Sequence, residues 1–394
     1  MKRLLVLGAG PFQLRGICKA KELGHEVITL DYLPDNIGHK YSDDCVICST
    51  TDREGVLKAA IELSVDGICT FSSDVAIPTV GYVCETLSLP GVSTKVAETM
   101  ATKDRFRAFL AKAGLNHPCF TSGIMLDDIL SDIHRLRPPV LFKPIDTSGS
   151  RGVIRVDNFT EDAIEHAFNY ARSFSRSGCV CVEEFLNGIE VGGDGILIDG
   201  RLAFVSITHK HLNGYVVTGH SLPTNINETE QNNVIKQLDD CCRALGYHNG
   251  PLNFDVIVGA DRVTVLEMSA RNGGNGLAAV IQRSTGVDVE QAAINIALGM
   301  KPELTAYERS RGSGSLIFGH PKAGVLRHIS SKKFIMAEVP EVFELYLVVE
   351  PGGSVAPFEH NGNMLGFALF DCIDSNAYND TKQKILDNLS IVVK

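Results

Sequence analysis

Apolar and polar positions in the first 95 residues alternate between two kinds of segment. Short apolar runs rich in Val, Ile and Leu predict strands at residues 3–7, 26–31, 44–48 and 67–71. Amphipathic stretches predict helices at residues 12–23, 53–63 and 75–87. Because strands and helices alternate over most of this region, the chain is expected to open with a parallel, doubly wound α/β domain.

The rest of the chain mixes helices with hairpins, which is typical of α+β structure. Helices are predicted at residues 94–113, 161–174, 230–245, 276–298 and 378–388. Strands are predicted at residues 140–144, 153–156, 179–183, 195–198, 201–208, 216–219, 313–318, 324–329, 342–349 and 365–370, with a further hairpin at 253–269. A chain of 394 residues is too long for one core. The pattern divides it into an N-terminal domain (1–95), a central domain (96–300) and a C-terminal α+β lobe (301–394).

Composition and charge limit the partners and the cellular location that can be expected for this protein. The formal net charge is −10 and the sequence pI is about 5.7, so no nucleic-acid surface is expected. No apolar run is long enough to span a bilayer, so no membrane partner is expected. The apolar start runs into Gly8-Ala9-Gly10-Pro11 without a cleavage pattern, which predicts a first strand. Eleven cysteines, an odd number without a secretion signal, predict reduced thiols and a cytoplasmic location.

The first glycine-rich turn matches a dinucleotide-binding turn only in part. Gly8 and Gly10 are followed by Asp31 at the end of the second strand, but the third glycine of the fingerprint is replaced by Gln13. The turn can still present backbone N–H groups to an anion at the start of a helix. Residues 72–74 end the fourth strand, where such sheets bind ligands. For both turns a structural role is the alternative interpretation.

The candidate chemistry is concentrated in two β-branched strands around a Gly-Ala-Asp-Arg turn at residues 259–262. A turn of three or five residues would place Asp255 opposite Glu267 and Asn253 opposite Ser269, whereas a turn of four would put the two carboxylates on opposite faces. Two carboxylates about 4 Å apart repel by about 4 kcal/mol at a protein-surface dielectric. A divalent cation such as Mg²⁺ would reverse that sign. An ordinary hairpin with two solvated acids is the alternative.

Two earlier segments suit a nucleotide. The hairpin tip at residues 146–152 is long and built of small side chains, so its N–H groups and hydroxyls can cover a polyphosphate beside Lys143. An exposed flexible hairpin is the alternative. After the strand at 179–183, backbone beside apolar side chains can pair with an adenine edge, and a nearby acid can hold ribose hydroxyls.

Taken in order, these segments resemble the ATP-grasp superfamily, and within it the carboxylate–amine ligases such as L-amino-acid ligases. The resemblance covers nearly the whole chain and implies an ATP-grasp fold of two α+β subdomains, with a mobile nucleotide lid at about 118–188. The motifs are Thr102-Lys103-Asp104-x-Phe106-Arg107-x-Phe109-Leu110, Phe142-Lys143-Pro144 with its glycine-rich hairpin, Val182-Glu183-Glu184-Phe185-Leu186-x-Gly188-x-Glu190, Asn253-x-Asp255 and Glu267-x-Ser269-x-Arg271.

The resemblance implies a role for each motif. ATP would be bound at its phosphates by Lys103, Lys143, Ser148, Gly149, Ser150 and Lys210, at its adenine by Glu183, Glu184, Phe185 and Leu186, and at its ribose by Glu190. Mg²⁺, or Mn²⁺ in its place, would be held by Asp255, Glu267 and Ser269. Arg271 would steady the carboxylate or its phosphorylated form, so Arg271 and Lys143 would carry the catalysis. The family usually has asparagine where this chain has the shorter Ser269.

The implied activity is an ATP-dependent ligase that joins a small-molecule carboxylate to an amine through an acyl phosphate. An amino acid is expected as one substrate, with ADP and phosphate as products, and a homodimer is common in the family. An ATP-binding protein of the same fold without turnover is an alternative, motivated by Ser269. A nicotinamide oxidoreductase is a third, and Gln13 argues against it.

Overall fold

The computed structural model describes residues 1–307 and 312–394. The chain begins with β1 (Arg3–Leu7), α1 (Leu14–Glu22), β2 (Glu26–Asp31), β3 (Asp44–Ile47), α2 (Arg53–Glu62), β4 (Gly67–Cys69) and α3 (Ile77–Leu87). The four strands form a parallel sheet, as predicted, and their order is β3-β2-β1-β4. Since the carboxyl ends of parallel strands share one edge, the turn after β1 and the segment after β4 lie at the same edge.

Two short helices, α4 (Thr94–Ala101) and α5 (Lys103–Lys112), replace the single helix predicted at 94–113. The break falls at Thr102, whose backbone is extended. It makes Lys103 the first residue of α5, and the Lys103 N–H donates to the carbonyl of Ile145 at 3.1 Å. The break therefore fixes Lys103 beside the glycine-rich hairpin.

The next subdomain is a small antiparallel sheet with helices on it. It contains β5 (Phe120–Gly123), α6 (Leu126–Asp132), β6 (Val140–Pro144), β7 (Ile154–Val156), α7 (Glu161–Phe174) and β8 (Val180–Glu184). The strand order is β5-β8-β6-β7. Strands β6 and β7 carry the glycine-rich hairpin tip between them.

The largest sheet has eight strands and spans the central and C-terminal regions. Its central part contains β9 (Ile189–Ile198), β10 (Arg201–Asn213), β11 (Val216–Leu222), α8 (Glu228–Leu245), β12 (Gly250–Val258), β13 (Val263–Ser269), α9 (Leu277–Thr285) and α10 (Val289–Ala297). The C-terminal part contains β14 (Ser313–Phe318), β15 (Gly324–Ile329), α11 (Lys332–Glu338), β16 (Val342–Leu347), β17 (Ser354–Val355), β18 (Gly366–Asp371), α12 (Ser375–Asn388) and β19 (Ile391–Val393).

The order of the large sheet is β13-β12-β9-β10-β11-β14-β18-β16, and β17-β15-β19 form a separate small sheet. Strands on both sides of the predicted domain boundary at residue 300 therefore belong to one continuous sheet. The predicted fold class, a parallel α/β domain followed by α+β parts, is confirmed. None of the helices in the two described ranges is long and apolar enough to cross a bilayer.

Candidate active site

The β12–β13 hairpin brings the two candidate metal-binding carboxylates together, since Asp255 pairs directly with Glu267. The turn at residues 259–262 has four residues, a length that was expected to separate the acids. That expectation is wrong, because the ladder shifts by one residue between Asp255 and Val256. The shift is a β-bulge at Leu266, and it returns Glu267 to the face of Asp255.

The bulge also changes what faces the interior. Val265 and Met268 both belong to the buried core, whereas the consecutive residues Leu266 and Glu267 both line a cavity. The Leu266 carbonyl accepts a hydrogen bond of 2.6 Å from Nη1 of Arg107. Arg107 is 1% exposed and therefore ties α5 to the bulge from within the protein.

A cavity of about 470 Å³ lies between the small antiparallel sheet and the large sheet. It collects every residue assigned by resemblance to the nucleotide, together with both acids of the hairpin. These lining residues are Lys103, Lys143, Ser148, Gly149, Ser150, Glu183, Glu184, Phe185, Leu186, Glu190, Lys210, Asp255 and Glu267. Residues far apart in sequence thus converge on one space, but Ser269 and Arg271 do not line it.

Glu183 links Lys143 to Arg107 at the cavity wall. Its carboxylate accepts hydrogen bonds from Lys143 Nζ and, at 3.0 Å, from Arg107 Nε. Burial alone would raise the pKa of Glu183, but the two cations outweigh it and lower this pKa to about 2. The Glu183 side chain is therefore committed to Lys143 and Arg107, so a contact from the predicted adenine hinge would have to come from the backbone that follows.

The hinge backbone offers one free donor. The N–H groups of Glu184 and Phe185 donate to the carbonyls of Cys119 and Pro139, each at 3.0 Å. Within the described residues, the N–H of Leu186 has no backbone acceptor. Leu186 therefore presents the hinge N–H that an adenine edge can use.

Lys210 bridges two acids of the cavity. Its Nζ lies 2.6 Å from Oε1 of Glu190 and 2.7 Å from Oδ2 of Asp255. Burial lowers the pKa of Lys210, but Asp255 and Glu190 more than offset this and raise it. In turn Lys210 lowers the pKa of Glu190 against the effect of burial. The ammonium thus favours the ionised form of Glu190.

Glu267 is left without a cation partner among the described residues, since it makes no ion pair or hydrogen bond there. Burial raises its pKa; Lys103 opposes this, and Asp74 and Asp255 add to it. No group of three or more Asp, Glu, His or Cys within residues 1–307 and 312–394 is arranged to hold a metal. Two carboxylates facing a phosphate-sized space fit Mg²⁺, which takes few protein carboxylates and completes its shell with phosphates and water.

The glycine-rich tip between β6 and β7 bends over this space. Gly149, Ser150 and Gly152 all have positive φ, and Ser150 Oγ donates to the carbonyl of Tyr215 at 2.5 Å. Lys103 Nζ donates to the Thr147 carbonyl at 2.6 Å. The tip is therefore folded down onto the cavity by contacts to β10–β11 and to α5.

Arg271 and Ser269 lie beside the acid hairpin and are engaged with a residue from the N-terminal domain. Arg271 Nε donates to Oδ1 of Asp74 at 2.8 Å, and its Nη1 donates to Oδ1 of Asn253 at 2.7 Å. Asn253 pairs with Ser269 as predicted. Burial raises the pKa of Asp74, but Arg271 and the nearby Ser269 hydroxyl outweigh it and lower this pKa.

Asp194 supports this corner and was missed by sequence reasoning. Fully buried, it accepts hydrogen bonds from Asn253 Nδ2 at 2.9 Å and from the Gly273 N–H at 2.9 Å. Burial raises its pKa to about 6 despite these donors. An acid within the glycine-rich run of β9 was the signal that could have identified it. Arg107, which stands inside a quoted motif, was also given no role.

The turn after β1 is closed to a dinucleotide. The Gln13 side chain accepts from the Gly10 N–H at 3.0 Å and donates to the Phe71 carbonyl at 2.6 Å. Asp31 accepts from the Ala9 N–H at 2.9 Å. Gln13 and Asp31 thus occupy the backbone N–H groups of Ala9 and Gly10. This agrees with the absence of the third glycine of the dinucleotide-binding motif.

The cavity lies between two α+β units, and a glycine-rich tip is folded over its two lysines and its pair of acids. This arrangement is suited to binding a nucleotide. Residues 136–279 match the model of the ATP-grasp domain. The chain therefore contains an ATP-grasp domain, as its motifs predict.

Comparisons with known proteins agree with this assignment. The chain is 26% identical over 302 residues to an uncharacterized protein of Sinorhizobium fredii, covering 75% of this chain and 61% of the relative. It is 24% identical over 267 residues to alanine–anticapsin ligase of Bacillus subtilis, covering 62% and 56%. Its fold matches the crystal structure of L-amino acid ligase from Bacillus licheniformis with a TM-score of 0.84 and 23% identity, over 100% and 99% of the two chains. The predicted resemblance to ATP-grasp ligases is confirmed, although the chain spans only 61% and 56% of those two curated relatives.

Proposed function

We propose that this protein is an ATP-dependent ligase that joins a carboxylate to an amine through an acyl phosphate, with an amino acid as one substrate. One observation carries the proposal: Lys103, Lys143, the glycine-rich tip and the Asp255–Glu267 pair line a single cavity. If the hairpin were an ordinary one with two solvated acids, nothing would require two lysines to line the same cavity as those acids. One of these lysines, Lys143, is also held in place by the buried carboxylate of Glu183.

The cavity offers each part of ATP a suitable neighbour. Leu141, Leu186, Ile257 and Leu266 give an apolar slot for the base, beside the free N–H of Leu186. Glu190 lies at the ribose end with Lys210 beside it. Lys103 and Lys143 supply positive charge for the phosphates, and the tip supplies N–H groups and hydroxyls.

In the proposed reaction a substrate carboxylate oxygen attacks the γ-phosphorus of ATP. The bond to the β–γ bridging oxygen breaks, and ADP leaves. The amine nitrogen then attacks the acyl carbon, phosphate departs, and the nitrogen loses a proton. Asp255 and Glu267 would hold Mg²⁺, which neutralises charge on the phosphates. Lys103 and Lys143 orient the phosphates and neutralise their charge, Arg271 acts through Asp74, and the folded tip keeps water from the acyl phosphate.

The test is ADP release from Mg-ATP with pairwise combinations of the twenty common amino acids and a set of simple amines. ADP and phosphate are expected in equal amounts, and only when a carboxylate and an amine are both present. If Mg-ATP binds but no combination stimulates ADP release, the ligase proposal is refuted.

The second candidate is nucleotide binding without turnover, which Ser269 favours because it stands where the family usually has asparagine. It predicts that the Ser269→Asn variant binds Mg-ATP as the wild type does and also releases no ADP. Any amino-acid-dependent ADP release by the wild type excludes it.

A further inference from the structure

The segment that follows β4 reaches into the active site from the N-terminal domain. Asp74 lies at its end and pairs with Arg271, with side-chain exposures of only 18% and 10%. Both Nε and Nη2 of Arg271 donate to the same oxygen, Oδ1, at 2.8 and 2.5 Å. Because two donors share one oxygen, the other carboxylate oxygen is left for further partners.

The position of Asp74 is fixed by its neighbours in the chain. The Ser72 N–H donates to the Asn272 carbonyl at 3.3 Å, and Ser72 Oγ donates to the Gly273 carbonyl at 3.1 Å. Ser72 also has a φ of +56°, which is unusual for a residue with a side chain. The strained backbone at Ser72 keeps Asp74 next to Arg271. Strained backbone is concentrated at functional sites, so this observation suggests a functional role for Asp74.

Asp74 faces a second cavity, of about 180 Å³, that adjoins the nucleotide cavity. The two cavities share Lys103, Thr147, Ser148, Leu266 and Glu267. Arg271 does not line the smaller cavity, so Asp74 is the member of the pair that a ligand there would meet. In the proposed reaction, a carboxylate that attacks the γ-phosphate would lie in the space next to Glu267.

The three acids that line this smaller cavity, among the described residues, differ in the partners that they bind. Asp146 accepts the N–H groups of Arg176 and Ser177, at 3.1 and 2.8 Å, and is used up in holding that turn. Glu267 belongs to the proposed Mg²⁺ site. Of the described acids that line this cavity, Asp74 is therefore the one that an arginine holds through a single oxygen.

We propose that Asp74 binds the protonated amino group of the carboxylate substrate, so that the acid activated by ATP is a free amino acid. The carboxylate would lie towards Lys103 and Glu267, and the ammonium group towards Asp74. Arg271 holds Asp74 by Oδ1 and so acts as its positioning partner. This inference rests on the proposed ligase function and specifies which of the two substrates is the amino acid.

Hydroxylamine provides a test that does not require the natural amine, because it converts acyl phosphates to hydroxamates. The twenty common L-amino acids are each compared with their N-acetyl derivatives, with Mg-ATP and hydroxylamine present. The wild type should form hydroxamates from free amino acids at ten or more times the rate seen with the N-acetyl compounds.

In the Asp74→Asn variant, kcat/KM for the best amino acid should fall about 10- to 100-fold, the effect of losing a hydrogen bond between charged groups. The preference for a free amino group should fall with it. The exposed Asp35 provides a control with the same change of charge in the same domain, and Asp35→Asn should retain both rate and preference. Thermal shift with Mg-ATP verifies that Asp74→Asn still folds and binds nucleotide.

Hydroxamate from N-acetyl amino acids at rates similar to the free forms would overturn the role of Asp74, even if the variant failed to fold. An equal loss for free and N-acetyl acids in Asp74→Asn would also overturn it, because a purely structural residue would give that result. Absence of hydroxamate with every acid, while Mg-ATP still binds, would instead refute the ligase function itself.

Discussion

Arg107 provides the sharpest test of how the site is held together. It is 1% exposed and connects the Glu183 carboxylate, at 3.0 Å, to the carbonyl of the Leu266 bulge, at 2.6 Å. The Arg107→Met variant keeps the volume but removes the charge and both hydrogen bonds. Glu183 would then keep only Lys143, and the bulge carbonyl would lose its donor.

Removing one partner of a buried ion pair costs about 3–5 kcal/mol, and because no solvent reaches Arg107 this range needs no reduction. We therefore expect Arg107→Met to lower the free energy of unfolding by about 3–5 kcal/mol in urea titrations followed by circular dichroism. Mg-ATP affinity should fall as well, because the bulge that aligns Glu267 with Asp255 loses its support.

Arg105 supplies the matched control on the same helix. It is 60% exposed and lies 3.5 Å from Glu98, so Arg105→Met should change stability by less than about 0.5 kcal/mol. The double variant Arg107→Met with Glu183→Gln should lose less than the sum of the two single changes, because the partners are coupled. Equal stability of Arg107→Met and Arg105→Met would refute this account of the buried pair.

Three further predictions concern single groups. Lys143→Ala should weaken Mg-ATP binding at least about tenfold by calorimetry, because a charged phosphate contact is lost while Arg107 still pairs Glu183. Glu267→Gln should abolish metal-dependent ADP release in a coupled assay, because one of the two facing carboxylates loses its charge. Asp194 has a folded pKa of about 6 against a usual 3.8, so its protonated form stabilises the fold below pH 3.8 and this stabilisation is lost as the pH rises through 6. Between pH 4 and 7, wild-type stability should therefore fall by up to about 3 kcal/mol relative to Asp194→Asn in urea titrations.

Each of these has an outcome that contradicts it. Normal Mg-ATP affinity in Lys143→Ala, with exposed Lys112→Ala as control, would remove Lys143 from the phosphate site. Undiminished ADP release by Glu267→Gln would remove Glu267 from the metal site. Parallel pH profiles for the wild type and Asp194→Asn would show that burial does not shift the Asp194 carboxyl.

Local pattern was sufficient for most of the fold. The parallel N-terminal sheet follows from runs of apolar residues separated by helix signals, because each signal concerns neighbours in sequence. The two helices around Thr102 could not be separated in this way, since the break is stabilised by a hydrogen bond from Lys103 to Ile145 in another subdomain. The residues of the nucleotide cavity came from ordered motifs, and the structure brings them together.

The rest of the site depends on contacts that no local pattern contains. Strict alternation along β13 predicts that a four-residue turn places Asp255 and Glu267 on opposite faces. This prediction is wrong because of the bulge, which no residue pattern in the sequence reliably indicates. Asp74 and Arg271 are 197 positions apart, and their pairing depends on how two domains meet. Asp194 acquires its role only through the strands and the loop packed around it.

The bulge has a consequence for the length of the turn in this hairpin. With the same number of residues, a regular ladder would also place Asp255 across from Glu267 if the turn took up Val263. In that arrangement Leu266 would rotate into the core opposite Val256, and Arg107 would lose its acceptor. Both turn lengths would keep the two acids together, but only the shorter turn leaves Leu266 in the wall of the cavity.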